Sequence, residues 1–229
     1  MILEGKTIDF LGDSITEGVG VSDIANNRYD NVLKRKCNLK AAYNYGVGGT
    51  RLAHQTAPTE KPRHDLCFCG RAYDLNREAD VIVVYGGVND YIHGDAPIGT
   101  PEDNTPATFY GAVEFLMNFL KTTYEGKKII FMTPAHCCYG EITDRKPSPW
   151  EMKKPDAMPL VNYVNIIVEK GRQHGIPVLN LYEKLGIDPN REEDREAYTV
   201  DGLHFNDAGQ AILADCLIHF LEELDEASA

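Results

Sequence analysis

Thr7 to Gly18 reads TIDFLGDSITEG, and its passage from apolar to polar decides the fold. Ile8, Phe10 and Leu11 form a short apolar run of the kind a buried strand needs, and Gly12 and Gly18 bracket a polar turn behind it. Ser14 therefore stands where a strand ends. In an open α/β sheet, ligands bind in the crevice outside the carboxyl ends of the strands, so a hydroxyl there is placed to attack. A serine nucleophile needs a base, a group to orient that base, and donors for the charge of a tetrahedral intermediate.

The strand-then-glycine pattern recurs on both sides of this stretch. Ala41 to Tyr45 reads as a second strand and runs into Asn44-Tyr45-Gly46-Val47-Gly48-Gly49-Thr50. Asp80 to Tyr85, DVIVVY, is a continuous branched apolar run of the kind buried on both faces of a parallel sheet, and it ends at Gly86-Gly87-Val88-Asn89-Asp90. Lys128 to Met132, KIIFM, is stopped by Thr133-Pro134, and Val178 to Leu181 is a further strand. Helices fall between them: Arg28 to Cys37, Thr108 to Tyr124, and Leu160 to His174 ended by Gly175. A last helix, Asn206 to Leu224, carries Ile212, Leu213, Cys216, Leu217, Phe220 and Leu221 on one face, with Asn206 as its N-cap. This alternation predicts a three-layer α/β/α sandwich around a mostly parallel sheet, with right-handed crossovers. The 229 residues suit one domain spanning 1–229. Residues 51–76 and 134–157 lack periodicity and form two excursions longer than ordinary connections.

Composition narrows the function classes. A formal net charge of -12 disfavours nucleic acid and anionic membrane surfaces and favours neutral or cationic small molecules. No apolar run reaches the length of a membrane span, and the absence of a basic, then apolar leader after Met1 points to a cytoplasmic protein. The six cysteines lack the spacing of a disulfide framework and read as reduced thiols. His64, Cys67 and Cys69, like His136, Cys137 and Cys138, also lack the steps of a zinc site, so no metal is expected. Gly18-Val19-Gly20 lacks the third glycine of a dinucleotide fingerprint, so no cofactor is expected either.

Four short blocks carry a resemblance. Gly12-Asp13-Ser14-Ile15, Asn44 to Thr50, Gly87-Val88-Asn89-Asp90 and Asp201-Gly202-Leu203-His204 follow one another in the order of the SGNH hydrolases, the GDSL-like esterase and lipase superfamily. The chain resembles that superfamily from residue 12 to residue 204, with Ile15 in place of the commoner leucine. The resemblance implies a flavodoxin-like fold in which Ser14 is the nucleophile, His204 its base, and Asp201 the group that holds the base in the correct tautomer. It also implies an oxyanion hole built from the backbone N–H of Ser14, the backbone N–H of Gly49 and the side-chain amide of Asn89. Gly48 adjoins Gly49, so the second donor is open by one residue; counting from Asn44 favours Gly49. The implied activity is hydrolysis of carboxylic esters through an acyl-serine, without metal or cofactor. The polar loops and acidic balance point to a short acyl group, acetyl above all, on a carbohydrate or other small polar molecule. An acyltransferase using the same serine and a non-catalytic carbohydrate-binding domain on the same fold are the alternatives. Oligomeric state is not legible.

Each residue also has a plainer role when taken alone. Ser14 could cap a helix, Asn89 could serve a tight turn, Asp201 could open an Asx turn, and His204 could lie on the surface. Asp13 reads as a brace for the site loops. Asp90, Tyr91, His93 and Asp95 line either a polar pocket or a solvated loop. Trp150 either packs down its excursion or stacks on a sugar ring. Arg51, Arg63 and Arg71 either bind a carboxylate or face solvent.

Overall fold

Strands and helices alternate along the chain in the computed structural model, which describes residues 3–148, 152 and 154–226. Strand β1 (Thr7–Gly12) leads into short helices α1 (Ser14–Glu17) and α2 (Ile24–Asn27), then α3 (Tyr29–Lys36) and β2 (Ala41–Gly46). Next come α4 (Phe68–Arg71), β3 (Val81–Tyr85), α5 (Val88–His93), α6 (Phe109–Thr123) and β4 (Lys128–Met132). The chain closes with α7 (Leu160–His174), β5 (Val178–Leu179), α8 (Leu181–Lys184), α9 (Glu192–Tyr198) and α10 (Asp207–Glu226).

The strands form one sheet in the order β2-β1-β3-β4-β5, and every pair is parallel. Side-chain alternation assigns the two faces. Ile8, Phe10, Val81, Val83, Ile130 and Met132 point to the face covered by α3 and α10, where Leu33, Leu213 and Leu217 complete the core. Leu11, Ile82, Val84, Ile129 and Phe131 point to the other face, covered by α6 and α7 through Leu116, Leu120 and Ile167. Each large apolar side chain withdrawn from water in this way contributes ~1.5–3 kcal/mol, which explains why the strands carry apolar residues on both faces.

Local signals set the helix ends. Thr108 accepts from the Gly111 N–H at 3.1 Å and starts α6, while Gly175 takes the left-handed conformation that ends α7. Asn206 accepts from the Ala208 and Gly209 N–H groups at 3.0 and 3.1 Å, the expected cap of α10. Two differences from expectation follow from local geometry. The strand expected at Val178 to Leu181 stops at Leu179, because Asn180 turns the chain into α8. Gly87, with φ 109°, opens a six-residue helix α5 that the sequence reading does not include, so Asn89 sits in a helical first turn and not in the tight turn that was its plainer alternative.

The excursion after Gly49 is ordered by a 3₁₀ turn (Pro62–Asp65) and by α4. Trp150 lies outside the described residues. No helix among the described residues is long and apolar enough to cross a membrane.

Candidate active site

The strand order reverses between β1 and β3, and the crevice at their carboxyl ends is where such sheets hold ligands. Ser14 follows β1, Asn89 follows β3 and Gly49 follows β2, so three parallel strands deliver three of the expected residues to one edge.

Ser14 is the first residue of α1. Asp13 caps that helix by accepting from the Ile15 N–H at 3.0 Å, and burial pushes the Asp13 carboxyl up to about 6 against the pull of that bond and of His204 and Arg71. Asp13 thus holds the start of its own helix, and its side chain has no hydrogen bond to another loop among the described residues. Ser14 is nearly buried, at 6% exposure.

His204 and Asp201 arrive from the loop between α9 and α10. An antiparallel bridge between Thr199 and Phe205 closes that loop, and the Val200 N–H donates to the His204 carbonyl at 2.9 Å. Within it, Asp201 Oδ1 accepts from the backbone N–H groups of Leu203 and His204 at 3.0 and 2.8 Å. Its other oxygen, Oδ2, lies 2.7 Å from His204 Nδ1, and His204 Nε2 lies 2.9 Å from Ser14 Oγ. Partial burial raises the Asp201 carboxyl, but these three hydrogen bonds outweigh it and hold the group below its ordinary value. An ionised acceptor on Nδ1 leaves Nε2 free to take a proton from the serine. The rings of Tyr139 and His204 stand nearly perpendicular, with centroids 6.2 Å apart.

The three groups expected as oxyanion donors differ in how far protein partners already occupy them. The Gly48 N–H is taken by Glu17 Oε2 at 2.7 Å, whereas no partner for the N–H of Gly49 or of Ser14 occurs among the described residues. Of the two adjacent glycines, Gly48 thus has its N–H committed to Glu17, and Gly49 does not. Gly49 has φ 75°, and a Cβ there would meet the His64 ring at 2.5 Å, so only glycine fits beneath that imidazole. Asn89 Nδ2 donates one hydrogen to the Thr50 carbonyl at 3.0 Å, and its second hydrogen has no partner among the described residues.

Other residues singled out in the sequence are placed differently. Arg51 is fully buried and donates to the His64 carbonyl at 2.8 Å. Arg71 is buried too, and its guanidinium donates to the carbonyls of Leu66, Tyr45 and Gly12 and to Thr50 Oγ1. Arg63 is exposed but pairs with Glu17. All three are therefore bound to protein groups instead of offering a free guanidinium to a carboxylate. Asp90 and Tyr91 are buried in α5, so the stretch after Asn89 is interior and not a solvated loop. Asp90 accepts from the Leu52 and Ala53 N–H groups at 2.9 and 3.0 Å and ties the excursion to α5.

Sequence reasoning passed over Glu17, Thr50 and the role of His93. One signal was available for His93: it stands four residues after Asn89, one helical turn away. No group of three or more His, Cys, Asp or Glu side chains that could hold a metal occurs among the described residues.

The model of the GDSL-like lipase/acylhydrolase family matches residues 10–212. One crystal structure is 27% identical with a TM-score of 0.84, covering 97% of this chain and 99% of that one. A protein from Lactobacillus plantarum is 26% identical with a TM-score of 0.79, covering 96% of this chain and 98% of its own. A possible lipase from Chitinophaga pinensis is 22% identical with a TM-score of 0.68, covering 96% and 99%, and shares the fold. No curated protein is similar enough to count as a match.

Proposed function

Since the chain belongs to the GDSL-like lipase/acylhydrolase family and hydrolyses ester bonds, we propose that it works as a single domain and cleaves carboxylic esters through an acyl-serine on Ser14. The observation that carries this is the continuous line from Ser14 Oγ to His204 Nε2, 2.9 Å, and from His204 Nδ1 to Asp201 Oδ2, 2.7 Å. His204 takes the hydroxyl proton as Oγ attacks the carbonyl carbon. Negative charge then gathers on the carbonyl oxygen, facing the N–H of Ser14, the N–H of Gly49 and the remaining hydrogen of Asn89 Nδ2. His204 gives its proton to the leaving alcohol, which departs on the side of Tyr139. Water, activated by the same imidazole, attacks the acyl-serine and returns the enzyme. Asp201 keeps the imidazole oriented and stabilises its cationic form.

The acyl group is short, acetyl above all, and the alcohol is a carbohydrate or another small polar molecule. Support comes from the polar groups around Gly48 and Gly49, where Glu17 accepts from the Gly48 N–H and pairs with Arg63 and the His64 ring lies against Gly49, a setting better suited to a small polar substrate than to a long acyl chain. Hydrolysis of para-nitrophenyl acetate, butyrate and decanoate by the purified protein tests this. Rates falling from acetate to decanoate are expected; the reverse order would contradict the short-acyl preference. Turnover that rises with an added sugar acceptor would identify an acyltransferase instead.

A further inference from the structure

We infer that His93 and Arg51 are positioning residues that fix which way the Asn89 side-chain amide faces. This rests on the reading of Asn89 as an oxyanion donor and explains how its N–H is kept on the correct side.

Arg51 places an N–H of Nη1 2.7 Å from His93 Nδ1. A guanidinium only donates, so Nδ1 must be the unprotonated nitrogen and the ring hydrogen sits on Nε2. That Nε2 lies 3.0 Å from Asn89 Oδ1 and donates to it. With Oδ1 held toward His93, Nδ2 faces the Thr50 carbonyl at 3.0 Å, which can only accept. A reversed amide would set two carbonyl oxygens against each other at Thr50 and two N–H groups against each other at His93. Asn89 is 4% exposed, so water would not relieve either mismatch.

Two features suit this role. Asn89 and His93 are four residues apart on α5 and so share one face. Arg51 and Thr50 directly follow Gly49, so the chain that supplies the second donor also orients the third. Arg51 is itself anchored, by the His64 carbonyl at 2.8 Å and by Asp65 at 3.4 Å. Burial, followed by the charge of Arg51 and then His64, pushes His93 down to about 4, which keeps the ring neutral and its tautomer defined.

The test is a double-mutant cycle on para-nitrophenyl acetate hydrolysis, with kcat and KM measured separately and folding checked by circular dichroism. His93→Phe keeps an aromatic ring, somewhat larger, without the hydrogen bonds. It is expected to lower kcat by about tenfold or more, short of the ~10² to 10³ for losing the donor itself, with KM within about twofold. In an Asn89→Ala background the same substitution is expected to change kcat by less than about twofold, since its effect runs through that amide. His93→Gln, which can accept from Arg51 and donate to Asn89, should recover most of the lost kcat. If His93→Phe does not fold, His93→Met takes its place in the cycle. An undiminished kcat in the folded His93 variant, or an equal loss in both backgrounds, would overturn the inference. An Asn89→Ala variant with unchanged kcat would instead overturn the oxyanion reading beneath it.

Discussion

The α-carbon of Gly202 lies against the carbonyl oxygen of Cys138 so closely that a Cβ at 202 would overlap it. The Cys138 N–H donates back to the Gly202 carbonyl at 2.7 Å, and Gly202 adopts φ 86°, open to glycine at little cost. The loop carrying Asp201 and His204 is thereby pinned to the segment after β4.

Gly202→Ala should therefore displace His204 from Ser14 without disturbing the sheet. Turnover is expected to fall on the order of 10²-fold, the penalty of a misplacement of about 1 Å. Steady-state kinetics beside circular dichroism would check this, and an unchanged kcat would show that the contact does not set the loop.

Asn89→Ala removes one side-chain donor and leaves the others. A drop in kcat of ~10² to 10³ with KM little altered is expected, because the bond forms to the oxyanion and not to the ground-state ester. A rise in KM alone would place Asn89 in substrate binding.

Arg71 gathers the end of β1, the end of β2 and the following excursion through the Gly12 and Leu66 carbonyls, each at 3.0 Å, the Tyr45 carbonyl, and Thr50 Oγ1 at 2.8 Å. Arg71→Met leaves all four acceptors without this donor, two of them in fully buried bonds. A loss of about 3 kcal/mol or more is expected in urea denaturation. A loss below about 1 kcal/mol would mean that the acceptors find other partners.

Glu114 supplies a pH dependence away from the site. Partial burial raises its carboxyl, but bonds from His174 and Lys170, each 2.9 Å, outweigh that and bring it to about 2 from 4.5. A depressed folded value contributes stability above the unfolded one, and that stability is lost as pH falls from 4.5 toward 2. Asp90, raised to about 6 by burial, acts in the opposite sense: its contribution is present at low pH and lost as pH rises through about 6. Glu114→Gln should therefore flatten the acid side of the melting-temperature profile, and an unchanged slope there would contradict the pairing.

Much of this was legible in the sequence because it is local. The run DVIVVY announces a strand buried on both faces, Thr108 and Asn206 announce helix starts, and Asp201 to His204 is a closed turn whose hydrogen bonds span three residues. Arg51 and Arg71 were not legible as buried side chains. Their acceptors lie on strand ends and loops distant in sequence, and no periodicity records a carbonyl. Helix α5 escaped for a different reason: six residues after a glycine carry no helical repeat long enough to read, and the four-residue step from Asn89 to His93 is its one trace in the sequence.

The central claim is that Ser14 Oγ carries the acyl group. Purified protein mixed rapidly with para-nitrophenyl acetate and quenched in acid should show one acetyl group by intact-mass spectrometry, mapped to the peptide containing Ser14 and absent from Ser14→Ala, whose turnover should be abolished. Acetylation at another residue, or undiminished turnover by Ser14→Ala, would contradict it.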